Sequence, residues 1–417
     1  MRISVKENVQ LALSAVWVHR FRSLLTILGI VIGITTVITV ASLLTGLRNG
    51  IVTFFDELGP DNIFIAKTSG DPNQTRFSSK EERRRPIRAE YADYLLRWCS
   101  SLEQVGLQVY IPSFMGGKPI TARVGSQESD SIFLAGSSPN MLEISPREIA
   151  QGRYFTAEEN ARGARVAMIG ASLAEALFPD GKPLGRAFMV DGVEFTVLGV
   201  YAKAKGGFFG QNGLDTQVEV PFQVARLRYP NVDRLWVIAK ARPGLRQQAY
   251  EEVEGTLRKI RRVPPGAEND FNLSTPDQII QQFDRITGLV GLVAIAISGL
   301  GLLVGGIGVM NVMLVSVTER TREIGVRKAL GARAQDIVMQ FLVEAMTLTG
   351  AGGLLGIVIA VLVTLLVGTL VPSLPSEVPT WAVVTGFSVS VAVGLFFGVW
   401  PAMKAARLDP VEALRYE

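Results

Sequence analysis

Four long segments without a charged residue restrict what this chain can fold into. They are residues 23–47, 286–318, 345–376 and 378–403, and none contains Asp, Glu, Lys or Arg. A helix needs about 20 residues to cross roughly 30 Å of hydrocarbon, and every run is longer than that. The mean hydropathy of the whole chain is also positive. We therefore predict an α-helical integral membrane protein with four transmembrane helices.

Basic residues beside these runs orient the chain in the membrane. Lys and Arg collect before the first run, between the second and third, and after the fourth. Because cytoplasmic loops are enriched in these residues, both termini are predicted to be cytoplasmic. The cytoplasmic parts are then a head (1–22) that forms an amphipathic helix along the inner surface, a loop (319–344) and a tail (404–417), and residues 48–285 lie outside.

The composition argues against several chemical functions. With no charge inside the four runs, the chain offers no proton relay, ion-coupling site or polar conduit. Its only histidine is His19 and its only cysteine is Cys99, so neither a metal site nor an internal disulfide is expected. No catalytic residues are predicted, and the exported part faces a compartment without nucleic acid.

Every span carries a Gly-x-x-x-Gly pair. Small residues at this spacing allow two helix backbones to approach closely, which favours helix packing in a bilayer. With 42 glycines in the chain some pairs could arise by chance. We predict helix-packing faces within the chain or across a dimer. The residues are Gly29, Gly33, Gly301, Gly305, Gly352, Gly356, Gly394 and Gly398.

A basic segment, TERTREIGVRKALGA, separates the second and third spans. On a helix, Val326, Ala329 and Leu330 fall on one side, and Glu323 and Arg327 form an i,i+4 pair. The positive-inside rule alone accounts for the charges, but it does not account for the apolar side. The segment is therefore interpreted either as an orientation signal or as an amphipathic helix that docks on a partner.

The tail contains a second short helix. Asp409 is placed to cap it, and Pro410 suits its first position. Val411 and Leu414 would then be exposed, either to a second cytoplasmic partner contact or to the membrane surface.

The exported segment is predicted to be mixed α/β, because strand-like and helix-like runs alternate along it. Near its end, Thr275, Pro276 and Gln278 form a helix-start signature, and nothing breaks the helical pattern before Val317. At 1.5 Å per residue this helix would be about 60 Å long, twice the hydrocarbon thickness. The second span is expected to continue outward as a stalk.

Two stretches of sequence carry a resemblance to a known family. TERTREIGVRKALGARAQDIVMQFLVEA and GLFFGVWPAMKAARLDPVEALRYE resemble the permeases of the MacB/FtsX-type ABC transporters, in their MacB-like branch. The head NVQLALSAVWVHRFRSLLTILGIVIGI and the exported block beginning IAQGRYFTAEENARGARVAMIG extend the resemblance over essentially the whole chain.

The resemblance implies a coupling helix that seats in a groove of an ATPase subunit. It also implies a porter-like subdomain (48–111 and 229–285) interrupted by a β-rich insert (112–228), a homodimer in the bacterial inner membrane, and, in a Gram-negative host, a periplasmic adaptor and outer-membrane channel. The implied ATPase contacts are Thr321, Arg322, Glu323, Val326, Arg327, Lys328 and Leu330.

The chain contains no P-loop motif for ATP. Its two Gly-Lys pairs, at Lys118 and Lys182, are each followed by proline. We therefore expect no cofactor here, with ATP and Mg²⁺ bound by a separate ATPase chain.

The expected function is export of drugs, peptides or lipids, driven mechanically by that ATPase. Lipoprotein release and FtsX-like signalling to a cell-wall hydrolase remain as alternatives. The size of the exported segment favours the MacB-like branch over the signalling one.

Overall fold

The structure is a computed structural model that describes residues 20–68, 81, 83–115, 118–130, 132–205, 213–370 and 376–415. The predicted head helix and His19 lie outside these residues. The chain divides into two compact units, one of Met1–Leu47 and Asp284–Glu417 and the other of Arg48–Phe283. Among the described residues, four helices are long and apolar enough to cross a membrane.

The helices are numbered along the chain. They are α1 (Arg20–Leu58), α2 (Tyr91–Trp98), α3 (Met141–Ile144), α4 (Ala157–Ala161), α5 (Ala171–Leu177), α6 (Phe222–Arg228), α7 (Arg246–Arg261), α8 (Pro276–Glu319), α9 (Thr321–Ala329), α10 (Ala334–Leu370), α11 (Thr380–Ala406) and α12 (Pro410–Arg415). The spanning helices are α1, α8, α10 and α11.

The second spanning helix, α8, starts where the sequence predicts. The Thr275 and Gln278 side chains each accept a hydrogen bond from the other's backbone N–H, at 3.4 and 3.2 Å, which forms a capping box. Its 44 residues correspond to roughly 66 Å, so the helix is much longer than a span requires.

The first spanning helix is longer than the sequence suggests. The predicted span ends at residue 47 because Arg48 is charged, whereas α1 continues to Leu58. Ile51 and Phe55, one helical turn apart, are buried in an apolar cluster with Phe64 and Ile238 of the exported unit. Helix formation therefore continues beyond the apolar run because the next turns have a core of their own.

Strands in the exported unit are also numbered along the chain. They are β1 (Asn62–Ala66), β2 (Leu102–Ile111), β3 (Phe114–Met115), β4 (Lys118–Pro119), β5 (Ala122–Val124), β6 (Gln127–Ser129), β7 (Phe133–Ser137), β8 (Ile149–Gly152), β9 (Val166–Ile169), β10 (Ala187–Val190), β11 (Val193–Tyr201), β12 (Gln217–Pro221), β13 (Leu235–Ala241) and β14 (Asn272–Ser274).

One mixed sheet runs through the exported unit. Within the described residues its order is β14-β1-β13-β2-β7-β12-β9-β11-β10-β5-β6, with β8 paired to β11, and β3 and β4 form a separate hairpin. The pairs β12–β7 and β11–β9 are parallel, and the other pairs in the sheet are antiparallel. The mixed α/β domain expected between the first two spans is thus present.

The limits proposed for the β-rich insert fall at ends of elements. Residue 111 is the last of β2, and residue 228 is the last of α6. However, β2 pairs directly with β7, so the insert extends the same sheet.

Strand β1 contributes buried side chains to two separate apolar cores, one on each face of the sheet. Successive side chains of a strand point to opposite faces. Ile63 and Ile65 are buried in the main core with Val253 and Leu257 of α7. Phe64, between them, is buried in the smaller cluster with Ile51 and Phe55 of α1.

Candidate functional site

The cytoplasmic segment between α8 and α10 contains the short helix α9. We call it the coupling helix after the role that the resemblance implies. Arg320 has non-helical backbone angles and separates it from α8. At its other end, the N–H groups of Gly331 and Ala332 donate to the carbonyls of Lys328 and Arg327, both at 3.0 Å. Gly331 has φ +94°, a conformation that glycine adopts without strain, so the chain can turn into α10 here.

The inner face of the coupling helix is held in the membrane unit. Ile324 is fully buried in a cluster that contains Val317 of α8, Phe341 of α10 and Ala405 of α11. Arg320 extends its guanidinium to within 3.4 Å of the buried Glu344 carboxylate, and Arg327 donates to Gln340 Oε1 at 2.9 Å. The helix is therefore fixed to α10 by both apolar and polar contacts.

The outer face of the coupling helix exposes apolar side chains. Val326 is 42% exposed and Leu330 is 84% exposed. Arg322 and Glu323 are exposed on the same side, and the expected ion pair between Glu323 and Arg327 is present. We call the exposed residues Arg322, Glu323, Val326 and Leu330 the docking face.

Three predicted contact residues do not lie on the docking face. Arg327 is partly buried, and its guanidinium donates to Gln340 and Glu323. Thr321 is buried, and its hydroxyl donates to the carbonyls of Val317 and Thr318. Lys328 is partly buried and bonds to the backbone at the end of α11. Positions 321 and 328 turn inward because they lie on the same side of the helix as the buried Ile324, so we leave both residues out of the docking face.

The tail helix α12 packs against the coupling helix. Asp409 caps α12 by accepting from the N–H of Val411 at 2.7 Å. Ala413 is buried, and a Cβ placed on Gly325 would lie 2.8 Å from its Cβ. Val411 is 67% exposed and Leu414 is 45% exposed. The tail thus adds two exposed apolar side chains beside the docking face.

Sequence reasoning missed the role of Gly325. A glycine inside a short helix costs about 1 kcal/mol relative to alanine, so its position on the same face as Ile324 was a usable signal of close packing. The partner, Ala413, is distant in the chain and carries no comparable signal.

The paired glycines of the spans all pack within this one chain. Gly29 and Gly33 of α1 face Gly301, Gly305 and Leu302 of α8. Gly352 and Gly356 of α10 face α1, where Thr35 donates to the Gly356 carbonyl at 3.0 Å. Gly394 and Gly398 of α11 face Ala345 and Thr349 of α10. Each of these glycines therefore packs against another spanning helix of the same chain.

A buried polar cluster lies in the exported unit. Tyr154 and Tyr201 both donate to the Glu219 carboxylate, and the Arg147 guanidinium lies 3.8 Å from the centre of the Tyr201 ring. Burial, and then the Glu219 charge, raise the pKa of both tyrosines well above the ordinary value. The hydroxyls therefore remain protonated donors at neutral pH, and the cluster serves to join β11 and β12.

Cys99 is also buried in this unit. Burial raises the pKa of its thiol, which disfavours the reactive thiolate. In the ranges that the structure describes, no group of three or more His, Cys, Asp or Glu side chains could hold a metal ion.

Comparison with known proteins covers both units. A family model described as the MacB-like periplasmic core domain matches residues 23–256, and one described as the FtsX-like permease C-terminal matches residues 295–410. The ABC transporter permease YknZ of Bacillus subtilis is 32% identical over 428 residues, covering 100% of both chains.

A longer relative and a solved structure are also similar. The pyoverdine export ATP-binding/permease protein PvdT of Pseudomonas entomophila is 33% identical over 99% of this chain, which spans 60% of that relative's length. The periplasmic region of MacB from Actinobacillus actinomycetemcomitans aligns with a TM-score of 0.44 and 16% identity, covering 55% of this chain and 95% of that one.

Proposed function

Because this chain belongs to the MacB-like, FtsX-type family of ABC transporter permeases, we propose that it couples ATP hydrolysis in an ATPase subunit to export across or away from the bacterial inner membrane. The similar protein YknZ is named as a permease alone, whereas PvdT is named as an ATP-binding/permease protein. ATP and Mg²⁺ would be bound by that ATPase, with this chain supplying the membrane-spanning and exported parts.

The observation that carries this proposal is the docking face. A short helix whose inner side is buried and whose outer side presents Val326 and Leu330 is suited to a groove in another protein. Burying two such side chains contributes about 1.5–3 kcal/mol each. Arg322 and Glu323 would then border the apolar contact and set its orientation.

The tail helix supplies a second contact with the same ATPase. Val411 and Leu414 are exposed, and α12 is seated on the coupling helix through Ala413. If the tail rested on the membrane instead, these side chains would be covered by lipid. Contact with the ATPase and contact with lipid lead to different expectations. The tail is needed for the permease to bind its ATPase only if the ATPase covers these side chains.

Force would travel outward along two continuous helices. Both α1 and α8 cross the division between the two units without a break. Within the exported unit, Ile51 of α1 and, on α8, Ile279 and Phe283 belong to the same apolar cluster as Phe64 of β1. We infer that movement of the inner ends of these helices is passed to the exported sheet through this cluster.

The cargo would move on the outer side of the membrane. The uncharged spans provide no polar path, so drugs, peptides or lipids would be taken up outside and displaced by the exported domain. Pyoverdine, the cargo in the name of one relative, is a compound to test. In a Gram-negative host, a periplasmic adaptor and outer-membrane channel would receive the cargo.

A homodimer would use surfaces other than the paired glycines. The outer half of α8 exposes large apolar side chains that a second copy or membrane lipid must cover. These residues are Leu289, Val290, Leu292, Val293, Ile295 and Ile297.

The test replaces both apolar residues of the docking face by aspartate. The tagged wild-type chain is first used to recover its ATPase from the native host, and binding is then measured with purified proteins. Val326→Asp with Leu330→Asp should lower the affinity by about 100-fold or more, while membrane insertion is unchanged. Leu227→Asp, at a position of the exported unit that is 77% exposed, should bind like the wild type.

Unchanged binding of the double variant would refute the docking assignment. Recovery of a second, non-identical permease with the tagged chain would favour lipoprotein release over the homodimeric exporter.

A further inference from the structure

Lys328 makes a contact that the docking of an ATPase does not explain. It lies on the coupling helix, on the side turned away from the docking face. Its ammonium group donates to the carbonyl oxygen of Ala406 at 2.6 Å and to that of Leu408 at 2.7 Å. Ala406 is the last residue of α11, and Leu408 lies in the link to the tail helix.

The chemistry of this contact is favourable. The last four carbonyls of a helix have no intrahelical donor, and they carry the negative end of the helix dipole. A lysine ammonium supplies both the missing donors and a complementary charge, and hydrogen bonds from a charged donor are the stronger kind. Lys328 thereby stabilises the end of the fourth span and the start of the tail together.

Two further features lie beside the Lys328 contact, where the coupling helix meets the tail helix. Gly325, one turn before Lys328, has no side chain, and this lets Ala413 of α12 approach. Asp409 begins α12 directly after the link that Lys328 holds. The coupling helix, the end of α11 and the tail helix are therefore joined at two adjacent turns.

The coupling helix is also tied to the third span, but by different residues. Arg320 reaches Glu344, and Arg327 reaches Gln340, both on α10. Lys328 provides the polar tie to α11. A displacement of the coupling helix would thus act on the third and fourth spans as well as on α8, which precedes it in the chain.

We propose that Lys328 is a positioning residue, a clasp that holds the tail helix and the fourth span to the coupling helix so that they move as one body. The clasp itself is independent of the proposed function. Its role in coupling rests on that function, because it requires an ATPase on the docking face.

The clasp is tested by the accessibility of the link to the tail. Arg407 is exposed and lies between α11 and α12, so trypsin can cut after it whenever the link opens. In the detergent-solubilised full chain, Lys328→Met should accelerate release of the fragment that begins at Leu408 by about 10-fold, as lost charged hydrogen bonds raise the population of the open link. Mass spectrometry identifies the fragment.

Two further variants make this result specific. Lys328→Arg keeps a charged donor and should restore most of the protection. Arg322→Met removes a basic residue from the docking face and should be cut at the wild-type rate. Wild-type cleavage of Lys328→Met, or equal acceleration in Arg322→Met, would overturn the clasp.

The coupling role has a separate readout. Lys328→Met should still bind the ATPase through Val326 and Leu330, but permease-dependent stimulation of ATP hydrolysis should fall several-fold. Full stimulation together with rapid tail cleavage would overturn the coupling role. If the wild-type chain binds no ATPase, the proposed function fails, and the cleavage rates still decide whether the clasp exists.

Discussion

Gly325 of the coupling helix and Ala413 of the tail helix are in such close contact that a Cβ on Gly325 would lie 2.8 Å from the Cβ of Ala413. Neither atom belongs to a long flexible side chain, so any added volume must move one helix. This contact makes the tail part of the cytoplasmic surface that carries the docking face.

Gly325→Ala should destabilise the tail helix although alanine favours helix formation. The expected cost is about 1–3 kcal/mol from overpacking, measured as faster hydrogen exchange of residues 410–415. Gly255→Ala is the matched control: Gly255 also lies inside a helix, and a Cβ there meets nothing within 4 Å. That variant should be neutral or more stable by about 1 kcal/mol. Equal protection of the tail in wild type and Gly325→Ala would contradict the packing.

Gly29→Val should separate the first and second spans. A Cβ at this position would already lie 3.0 Å from the Gly305 Cα, which is backbone and cannot rotate away. A loss of about 1–3 kcal/mol is expected, seen as a lower melting temperature in detergent. Gly299→Val is the control, because a Cβ on Gly299 meets nothing within 4 Å. Similar melting temperatures for the two variants would argue against this intrachain packing.

Glu344→Ala should weaken the attachment of the coupling helix to α10. Glu344 is buried, and its removal leaves the Arg320 guanidinium without its carboxylate partner. Because Arg320 is only partly buried, we expect a cost of about 1–3 kcal/mol, below that of a fully buried pair. Thermal unfolding of Glu344→Ala, Arg320→Ala and the double variant forms a double-mutant cycle. Strict additivity of the two single effects would show that the pair does not interact.

The stability of the exported unit should depend on acid pH through Glu159. This residue forms a capping box with Thr156 at the start of α4 and an ion pair with Arg153. The hydrogen bond from Arg153 lowers the pKa of the Glu159 carboxyl from 4.5 to about 2. Between these values the unfolded chain binds the proton and the folded chain does not, so the stabilisation is present above about pH 4.5 and lost towards pH 2.

The exposure of Arg153 limits this effect to about 1 kcal/mol. It is measured as the difference in unfolding free energy between wild type and Glu159→Gln from pH 6 to pH 2. The difference should vanish at the acid end. Glu158→Gln, at the neighbouring position, should show little pH dependence, and a constant difference for Glu159→Gln would contradict the assignment.

The predictions that succeeded were those based on local pattern. Uncharged runs identified the four spans, and Thr275 with Gln278 identified the start of α8, because both signals depend on residues close together in the chain. The end of α1 was not predicted, because its last turns depend on contacts with residues that are distant in the chain. Arg48 ends the apolar run, but the helix beyond it is stabilised by contacts of Ile51 with the exported core.

The sequence by itself determined that this chain spans a membrane four times, exports a mixed α/β domain and carries an amphipathic cytoplasmic helix. Periodicity and charge carry that information locally. Only the tertiary structure decided which side of the coupling helix is free, that Lys328 turns inward to Ala406, and that Ala413 packs on Gly325. These contacts depend on how closely distant parts of the chain approach, and hydrophobic pattern does not specify that distance.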